Sequence, residues 1–165
     1  MTATMTKPSK SLRSCLGRFA TGVVVVTFDT DDGPRGLTVN AFTSVSMEPP
    51  LILVSVSRRA KAHDVLHDRA FCINVLGAEQ EALALQFAGS SQAPVKWVPT
   101  SVAPRLSGVL AYLACTPWRA YDGGDHTLFL GEVADFHYRD GDALGFHSSG
   151  FTPIGNPQLG MEDLL

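Results

Sequence analysis

The segment that decides the fold is Gly36-Leu37-Thr38-Val39-Asn40-Ala41-Phe42-Thr43-Ser44-Val45-Ser46, which is followed closely by Pro49-Pro50. Apolar and small polar residues alternate along it, as on a β-strand, where successive side chains point to opposite faces. One face carries Leu37, Val39, Ala41 and Val45, and we expect this face to contact the core. The other face carries Thr38, Asn40, Ser44 and Ser46. With hydroxyls and an amide but no charge, it predicts either a solvated strand face or a surface that binds a neutral polar ligand.

Strand-like segments around this run predict a sheet built mostly from hairpins. A β-branched run at residues 23–28 is closed by a turn at residues 29–34, and residues 35–46 return from that turn. Further strands are predicted at residues 51–56, 71–76, 110–121, 126–138 and 143–146. Short helices are predicted at residues 12–19, 60–67 and 79–87, the last with Leu83 and Phe87 on one apolar stripe. The two longest strands flank Asp122-Gly123-Gly124-Asp125, a strong turn pattern.

This order of elements favours a mainly β fold, an antiparallel β-barrel with a few short helices. A Rossmann sheet is disfavoured, because long helices do not alternate with the strands and no G-x-G-x-x-G follows a strand. With 165 residues, the chain is long enough for one ordinary domain and too short for two. We expect a tail at residues 1–11, a domain at residues 12–151 and a second tail at residues 152–165.

The composition excludes several classes of function. The chain has 13 Lys and Arg against 16 Asp and Glu, so we expect neither nucleic acid nor an acidic membrane surface as a partner. No apolar run approaches the length of a membrane span, and residues 1–8 contain no apolar core of a signal peptide, which predicts a cytoplasmic protein. Cys15, Cys72 and Cys115 are odd in number and widely spaced, which predicts buried free thiols rather than disulfides or a zinc site.

A basic segment, Ser57-Arg58-Arg59-Ala60-Lys61, lies between a predicted strand and a predicted helix. Ser57 is a suitable N-cap, and cations beside the free N–H groups of a first helical turn can hold a phosphate. A solvated basic surface turn explains the same residues equally well. The segment lacks the Gly-x-x-x-x-Gly-Lys frame of a P-loop, so it does not predict hydrolysis of a nucleoside triphosphate.

Three histidines are candidates for a chemical role. The Asp-Gly-Gly-Asp turn places His126 at the rim of the barrel, where it can bind a ligand or change its charge near neutral pH. The alternative is a structural histidine that closes the turn against Asp125. His63 and His67 have the i, i+4 spacing of two metal ligands on a helix. Because Asp64 stands where zinc proteases have Glu, and no third ligand is evident, we predict a solvated helix face and no metal site.

Three segments resemble the flavin reductase family, the small NAD(P)H:flavin oxidoreductases that supply reduced flavin to two-component monooxygenases. They are Arg18-Phe19-Ala20-Thr21-Gly22-Val23-Val24-Val25-Val26-Thr27, the run at residues 36–46 with Pro49-Pro50, and Gly124-Asp125-His126-Thr127-Leu128-Phe129-Leu130-Gly131-Glu132-Val133. The resemblance covers residues 12–151 and is specific because the three segments occur together and in order. It implies an FMN-binding split β-barrel of the Greek-key type, usually a homodimer with the flavin near the subunit interface.

The resemblance also implies roles for individual residues. Thr38, Asn40, Ala41, Ser44, Val45 and Ser46 match the strand that lines the isoalloxazine and the ribityl chain. Ser57 and Lys61 match residues that meet the flavin phosphate, and Phe87 and Ala88 match a helix end that approaches the flavin. His126 matches the residue beside the nicotinamide and is the expected catalytic residue. In this chemistry a hydride passes from nicotinamide to flavin, and the protein mainly binds and orients the two cofactors.

The end of the domain departs from the family pattern. Many relatives carry a motif of the form x-R-G-x-Y after the last strand, whereas Phe146-His147-Ser148-Ser149-Gly150-Phe151 contains no arginine. No additional cation is evident for a 2′-phosphate, which favours NADH over NADPH as the co-substrate of FMN or FAD. Two other functions stay open on the same barrel, a non-catalytic flavin-binding protein and an oxidase of the pyridoxamine-phosphate type, which would want a more basic site.

Overall fold

The computed structural model describes residues 10–157, so residues 1–9 and 158–165 of the two expected tails lie outside it. After the helix α1 (Lys10–Leu16), six strands follow in order: β1 (Thr21–Gly22), β2 (Val24–Thr30), β3 (Gly33–Val39), β4 (Phe42–Met47), β5 (Pro50–Ser57) and β6 (Phe71–Val75). A 3₁₀ turn (Ala78–Gln80) leads into the helix α2 (Glu81–Phe87). The remaining strands are β7 (Trp97–Val98), β8 (Arg105–Leu106), β9 (Ala111–Gly123), β10 (His126–Tyr138), β11 (Ala143–His147) and β12 (Gly150–Ile154).

Seven of these strands form one antiparallel sheet in the order β3-β2-β6-β9-β10-β5-β4. Although β3 and β4 are consecutive in the chain, they lie at opposite edges of this sheet. Leu37 of β3 and Phe42 of β4 nevertheless pack against the same buried cluster, which includes Val26, Val54 and Phe129. The sheet therefore curls until its two edges share one core, which gives the predicted antiparallel barrel. The predicted hairpins β2–β3 and β9–β10 are confirmed.

A second core lies on the outer face of the barrel and holds the smaller elements in place. Val25, Leu76 and Leu144 are buried in it, and Phe87 of α2 and Phe146 of β11 pack against it. These contacts fix α2 and the three-stranded sheet β1-β11-β12 beside β2 and β3. The residues described contain no helix long and apolar enough to cross a membrane.

The deciding run at residues 36–46 forms two strands instead of one. β3 ends at Val39, and β4 begins at Phe42 after a corner in which the Phe42 N–H donates to Asn40 O (3.0 Å). Ala41 is exposed in this corner, and a bulge between Ser44 and Ser46 leaves Val45 outside the ladder with 48% of its surface exposed. The predicted core contacts of Ala41 and Val45 are therefore wrong, because the corner and the bulge both interrupt the period of two.

Two further sequence predictions are corrected. Residues 58–69 form a series of turns rather than a helix at residues 60–67, with backbone hydrogen bonds from His63 N to Ala60 O (3.0 Å) and from Val65 N to Ala62 O (3.1 Å). Cys15 is exposed, so the prediction of buried free thiols holds only for Cys72 and Cys115. Burial raises the pKa of both buried thiols to about 12.

Candidate active site

A cavity of about 210 Å³ lies at the C-terminal end of β3. Its lining combines β3 with the end of α2 and the β11–β12 hairpin: Val23, Thr38, Val39, Asn40, Ala88, Phe146 and Phe151. The two phenylalanine rings pack edge to face with centroids 5.5 Å apart and give the cavity an apolar wall. Three residues that the sequence assigned to flavin binding, Thr38, Asn40 and Ala88, thus lie around one space.

Thr38 and Asn40 differ in what they can offer a ligand. The Thr38 hydroxyl donates to Ala84 O (2.7 Å), which fastens the last turn of α2 to β3. The Asn40 side chain is exposed and makes no hydrogen bond within residues 10–157. Asn40 therefore supplies a free amide donor and acceptor, while the Thr38 hydroxyl, whose hydrogen is already donated, can only accept hydrogen bonds.

Phe87 takes a different position from Ala88, its neighbour in the chain. Its ring packs edge to face on Trp97 (5.9 Å, 73°) and lies against Gly36, where an added Cβ would be 2.7 Å from the ring. Phe87 lines a neighbouring surface cleft with these two residues and is not part of the Asn40 cavity. Its contacts hold the end of α2 against β3, and this position brings Ala88 to the cavity.

The corner at Asn40 and Ala41 continues into the predicted phosphate and nicotinamide residues. Ala41 O accepts a hydrogen bond from Ser55 N (3.0 Å), so the corner lies beside the end of β5. Ser57, two residues further along β5, is the register partner of His126 at the start of β10. One rim at an end of the barrel therefore carries, in order, Asn40, Ala41, Ser57 and His126.

His126 is half-buried at this rim, and its ring is oriented by the preceding residue. Its Nδ1 lies 2.7 Å from Asp125 Oδ1. This hydrogen bond holds the pKa of the Asp125 carboxyl below its usual value, so the carboxylate is ionised at neutral pH. An ionised carboxylate keeps the proton on Nδ1 of the imidazole, which leaves Nε2 as the nitrogen available to a ligand.

The basic turn after β5 is attached to the rim through Arg58. Its backbone N–H donates to Asp125 O (2.9 Å), its Nε donates to Gly124 O (2.8 Å), and its guanidinium pairs with Asp122. Arg58 therefore fastens the basic turn to the β9–β10 turn and is not a free cation. Because residues 60–67 form no helix, the predicted helix N-terminus for a phosphate is wrong, and the remaining attraction for an anion comes from Arg59 and Lys61.

Lys61 lines a second cavity, of about 480 Å³, beside the N-terminal half of β3 at Arg35, Gly36 and Leu37. The floor of this cavity is apolar, with Phe28, Leu37 and Val65, and Arg35 stands at its edge with Lys61. Lys61 and Arg59 form no salt bridge within residues 10–157. The two cations are available to an anion beside the rim, although the charge of Arg59 also helps to lower the pKa of the Asp125 carboxyl.

The β4 residues predicted to bind flavin lie on an exposed edge. Ser44 and Val45 are exposed and Ser46 is half-buried, and β4 is the last strand of the seven-stranded sheet. They line neither of these two cavities. Within the described part of the chain, no group of three or more His, Cys, Asp or Glu is arranged to hold a metal ion.

Sequence reasoning missed the aromatic wall of the first cavity. Phe151 belongs to β12, which pairs with β11 through a turn in which Ser148 and Ser149 both have positive φ (48° and 64°). Two positive φ values are typical of a type I′ hairpin turn, which usually contains Asn or Gly. With Ser-Ser in the turn, the usual hairpin signal is absent, so the sequence predicts no strand after residue 146 and assigns residues 152–165 to a tail.

Comparison with known proteins identifies close relatives of the whole domain. The family described as flavin reductase like domain matches residues 16–155. An NADH-dependent flavin reductase from Rhodococcus sp is 43% identical over 149 residues, which are 87% of this chain and 85% of the relative. The reductase component of a 4-nitrophenol 4-monooxygenase/4-nitrocatechol 2-monooxygenase from Rhodococcus opacus is 34% identical and covers 84% of this chain and 77% of its own. The structure of the flavin reductase PheA2 in its native state superimposes with a TM-score of 0.85 at 34% identity, covering 90% of this chain and 99% of PheA2.

Replacing Asn40 or Ser46 by Leu should weaken flavin binding if these side chains contact the flavin. A flavin polar group left without its partner in the bound state costs about 1–3 kcal/mol of binding free energy. Titration by flavin fluorescence measures this loss, and Asn156→Leu, an exposed asparagine outside both cavities, is the matched control. Wild-type affinity in both variants would refute the assignment.

Proposed function

This chain belongs to the flavin reductase like domain family, and we propose that it is an NADH-dependent flavin reductase that supplies reduced FMN or FAD to a partner monooxygenase. The observation that carries this proposal is similarity to such reductases along almost the whole domain, with 43% identity over 87% of the chain. The partner is inferred from the relative that is the reductase component of a monooxygenase.

The side chains at the rim are suited to a flavin. The free Asn40 amide can bond the neutral polar groups of the isoalloxazine or the ribityl chain, and the apolar wall of Phe146 and Phe151 suits a flat aromatic ring. Arg59 and Lys61, which form no salt bridge in the described residues, suit the flavin phosphate. When bound, the flavin supplies the redox chemistry, because it accepts a hydride from the reduced nicotinamide.

The protein's own contribution is to bind and orient the two cofactors. We infer that Asn40 orients the flavin by neutral hydrogen bonds and that Ser57 and Lys61 meet its phosphate. His126 Nε2 is free to form a hydrogen bond with the nicotinamide, because Asp125 holds the opposite side of the ring. No nucleophile or paired carboxylate is required, since most of the rate in such a transfer comes from placing donor and acceptor close together.

NADH is favoured over NADPH because the relative with 43% identity is an NADH-dependent reductase, and because residues 146–151 contain no arginine. A cytoplasmic location is supported by the three cysteines, all of which are free thiols, since reducing compartments preserve thiols.

Anaerobic mixing of the protein with FMN or FAD and NADH tests the proposed activity. We expect the flavin absorbance to bleach far faster than without the protein, and faster with NADH than with NADPH. A non-catalytic flavin-binding protein would bind the flavin and leave it oxidised. An oxidase of the pyridoxamine-phosphate type would oxidise pyridoxamine phosphate and ignore the nicotinamide.

His126→Ala should slow hydride transfer or raise the KM for NADH, and flavin binding should be largely preserved. Loss of one positioned hydrogen bond predicts a roughly ten- to a thousandfold effect, well short of abolition because the cofactors carry the chemistry. Stopped-flow reduction at saturating flavin measures it, and His137→Ala, at the other end of β10, is the control. A wild-type rate at all NADH concentrations would mean that His126 only closes the turn.

We also propose that the protein is a homodimer, and an open strand edge supports this. β6 pairs with β9 only from Ala111 to Cys115. The rest of β9, which carries the exposed Trp118 and Tyr121, has no partner on that side among residues 10–157. Unpaired edges of this kind attract another chain. The stripe around Leu83 and Phe87, expected from the sequence to need covering, is half-buried within the domain, with Phe87 packed in the second core.

Light scattering at micromolar concentration should give twice the chain mass of 17.7 kDa. Trp118→Glu should shift the mass towards the monomer, because a carboxylate would be desolvated in the interface. Ser101→Glu, at an exposed loop position, should leave the mass unchanged. A monomeric wild-type protein would contradict the proposal.

A further inference from the structure

His63 is a buried side chain, so the solvated helix face predicted from the sequence is wrong at this residue, and the proposed reaction does not use His63. It is 7% exposed and lies in the barrel end, with its ring centroid 5.7 Å from that of Phe129. Its Nε2 lies 2.7 Å from Thr127 Oγ1, and its Nδ1 lies 3.1 Å from Asp64 Oδ1. The carboxylate favours a proton on Nδ1, so Nε2 accepts a hydrogen bond from the Thr127 hydroxyl.

The segment that carries His63 has little regular structure of its own. Residues 58–69 are turns, and this segment also carries Lys61, the free cation at the rim. Ala62 and Leu66 anchor the segment in the main core, but apolar packing is non-directional and does not fix the orientation of a turn. A buried hydrogen bond is directional, and the His63–Thr127 bond is the buried side-chain hydrogen bond from this segment to the barrel.

Together with Arg58, His63 brackets the start of β10. Arg58 binds the backbone at Gly124 and Asp125, on one side of His126, and His63 binds Thr127 on the other side. Lys61 lies between Arg58 and His63 in the chain. The two attachments therefore hold Lys61 and His126 in a fixed relation, although one side chain meets the flavin phosphate and the other the nicotinamide in the proposed function.

We propose that His63 is a positioning residue, whose hydrogen bond to Thr127 holds Lys61 where the flavin phosphate binds. This inference rests on the proposed flavin site. A positioning role and a simple packing role for His63 predict different effects on flavin affinity. If His63 only fills the core, its loss lowers stability and weakens all flavins alike. If it positions Lys61, its loss weakens phosphorylated flavins and spares riboflavin, which has no phosphate.

The test compares the dissociation constants of FMN and riboflavin, measured by fluorescence titration, in a set of full-length variants. His63→Leu removes the hydrogen bond and keeps an apolar side chain of similar size, and Thr127→Val removes it from the other side with the same shape. His63→Gln keeps a hydrogen-bonding group that can reach Thr127. His67→Asn is the packing control, because the His67 ring packs on both Phe129 (4.9 Å) and His63 (5.2 Å) but forms no hydrogen bond within residues 10–157. Lys61→Met reports the phosphate contact itself.

We expect His63→Leu and Thr127→Val to weaken FMN about five- to tenfold and to change riboflavin affinity less than about twofold. His63→Gln should restore most of the FMN affinity, and His67→Asn should bind both flavins as the wild type does. Suppose that Lys61→Met weakens FMN more than riboflavin. Equal losses of affinity for both flavins in His63→Leu and Thr127→Val, or no loss in these variants when they are folded, would then overturn the inference. If Lys61→Met also fails to discriminate, the proposed phosphate contact is wrong and the inference falls with it. If the wild type binds neither flavin, the proposed function itself fails.

Discussion

The corner at Asn40 and Ala41 is the constraint on which the rest of the structure depends. It sends the chain from β3 at one edge of the seven-stranded sheet to β4 at the other, so the sheet must curl to bring its edges together. Within a strand ladder, Asn40 would face neighbouring side chains. At the corner its amide has no partner in the described chain, and Ala41 O instead bonds Ser55 N. The corner that ends β3 and begins β4 therefore also leaves polar groups free at the rim.

The rim is assembled mainly from backbone register, and side chains then fix it. Pairing of β5 with β10 sets Ser57 opposite His126, and this register follows from the ladder rather than from either side chain. The turns at residues 58–69 have no ladder, so they depend on Arg58, which bonds the β9–β10 turn, and on buried anchors such as Leu66. The proposed site for two cofactors thus rests on the rigid β5–β10 ladder and on the turns at residues 58–69, which side chains must hold in place.

The sequence predicted the strands well because alternation and turn residues act locally. The two long strands and their Gly-rich turn are found within a residue or two of the predicted bounds. Predictions failed where a distant contact decided the outcome. Residues 60–67 have helical spacing, but Arg58 and the core bind the segment as turns. Val45 alternates correctly with its neighbours, but a bulge against β5 turns it outward. The wall at Phe151 depends on a Ser-Ser turn with positive φ that no local rule favours.

Most polar groups near the rim already have structural partners. The Thr38 hydroxyl bonds α2, Arg58 bonds the β9–β10 turn, and Asp125 bonds Nδ1 of His126. The free groups that can serve a ligand at the rim, within residues 10–157, are the Asn40 amide, Nε2 of His126 and the exposed cations Arg59 and Lys61. These groups can orient a cofactor and neutralise its phosphate, but they do not enclose the cofactor. An open rim of this kind suits a flavin that must leave after it has been reduced, because few bonds have to break for its release. A site with so few polar contacts therefore suits a reductase that must release its reduced flavin.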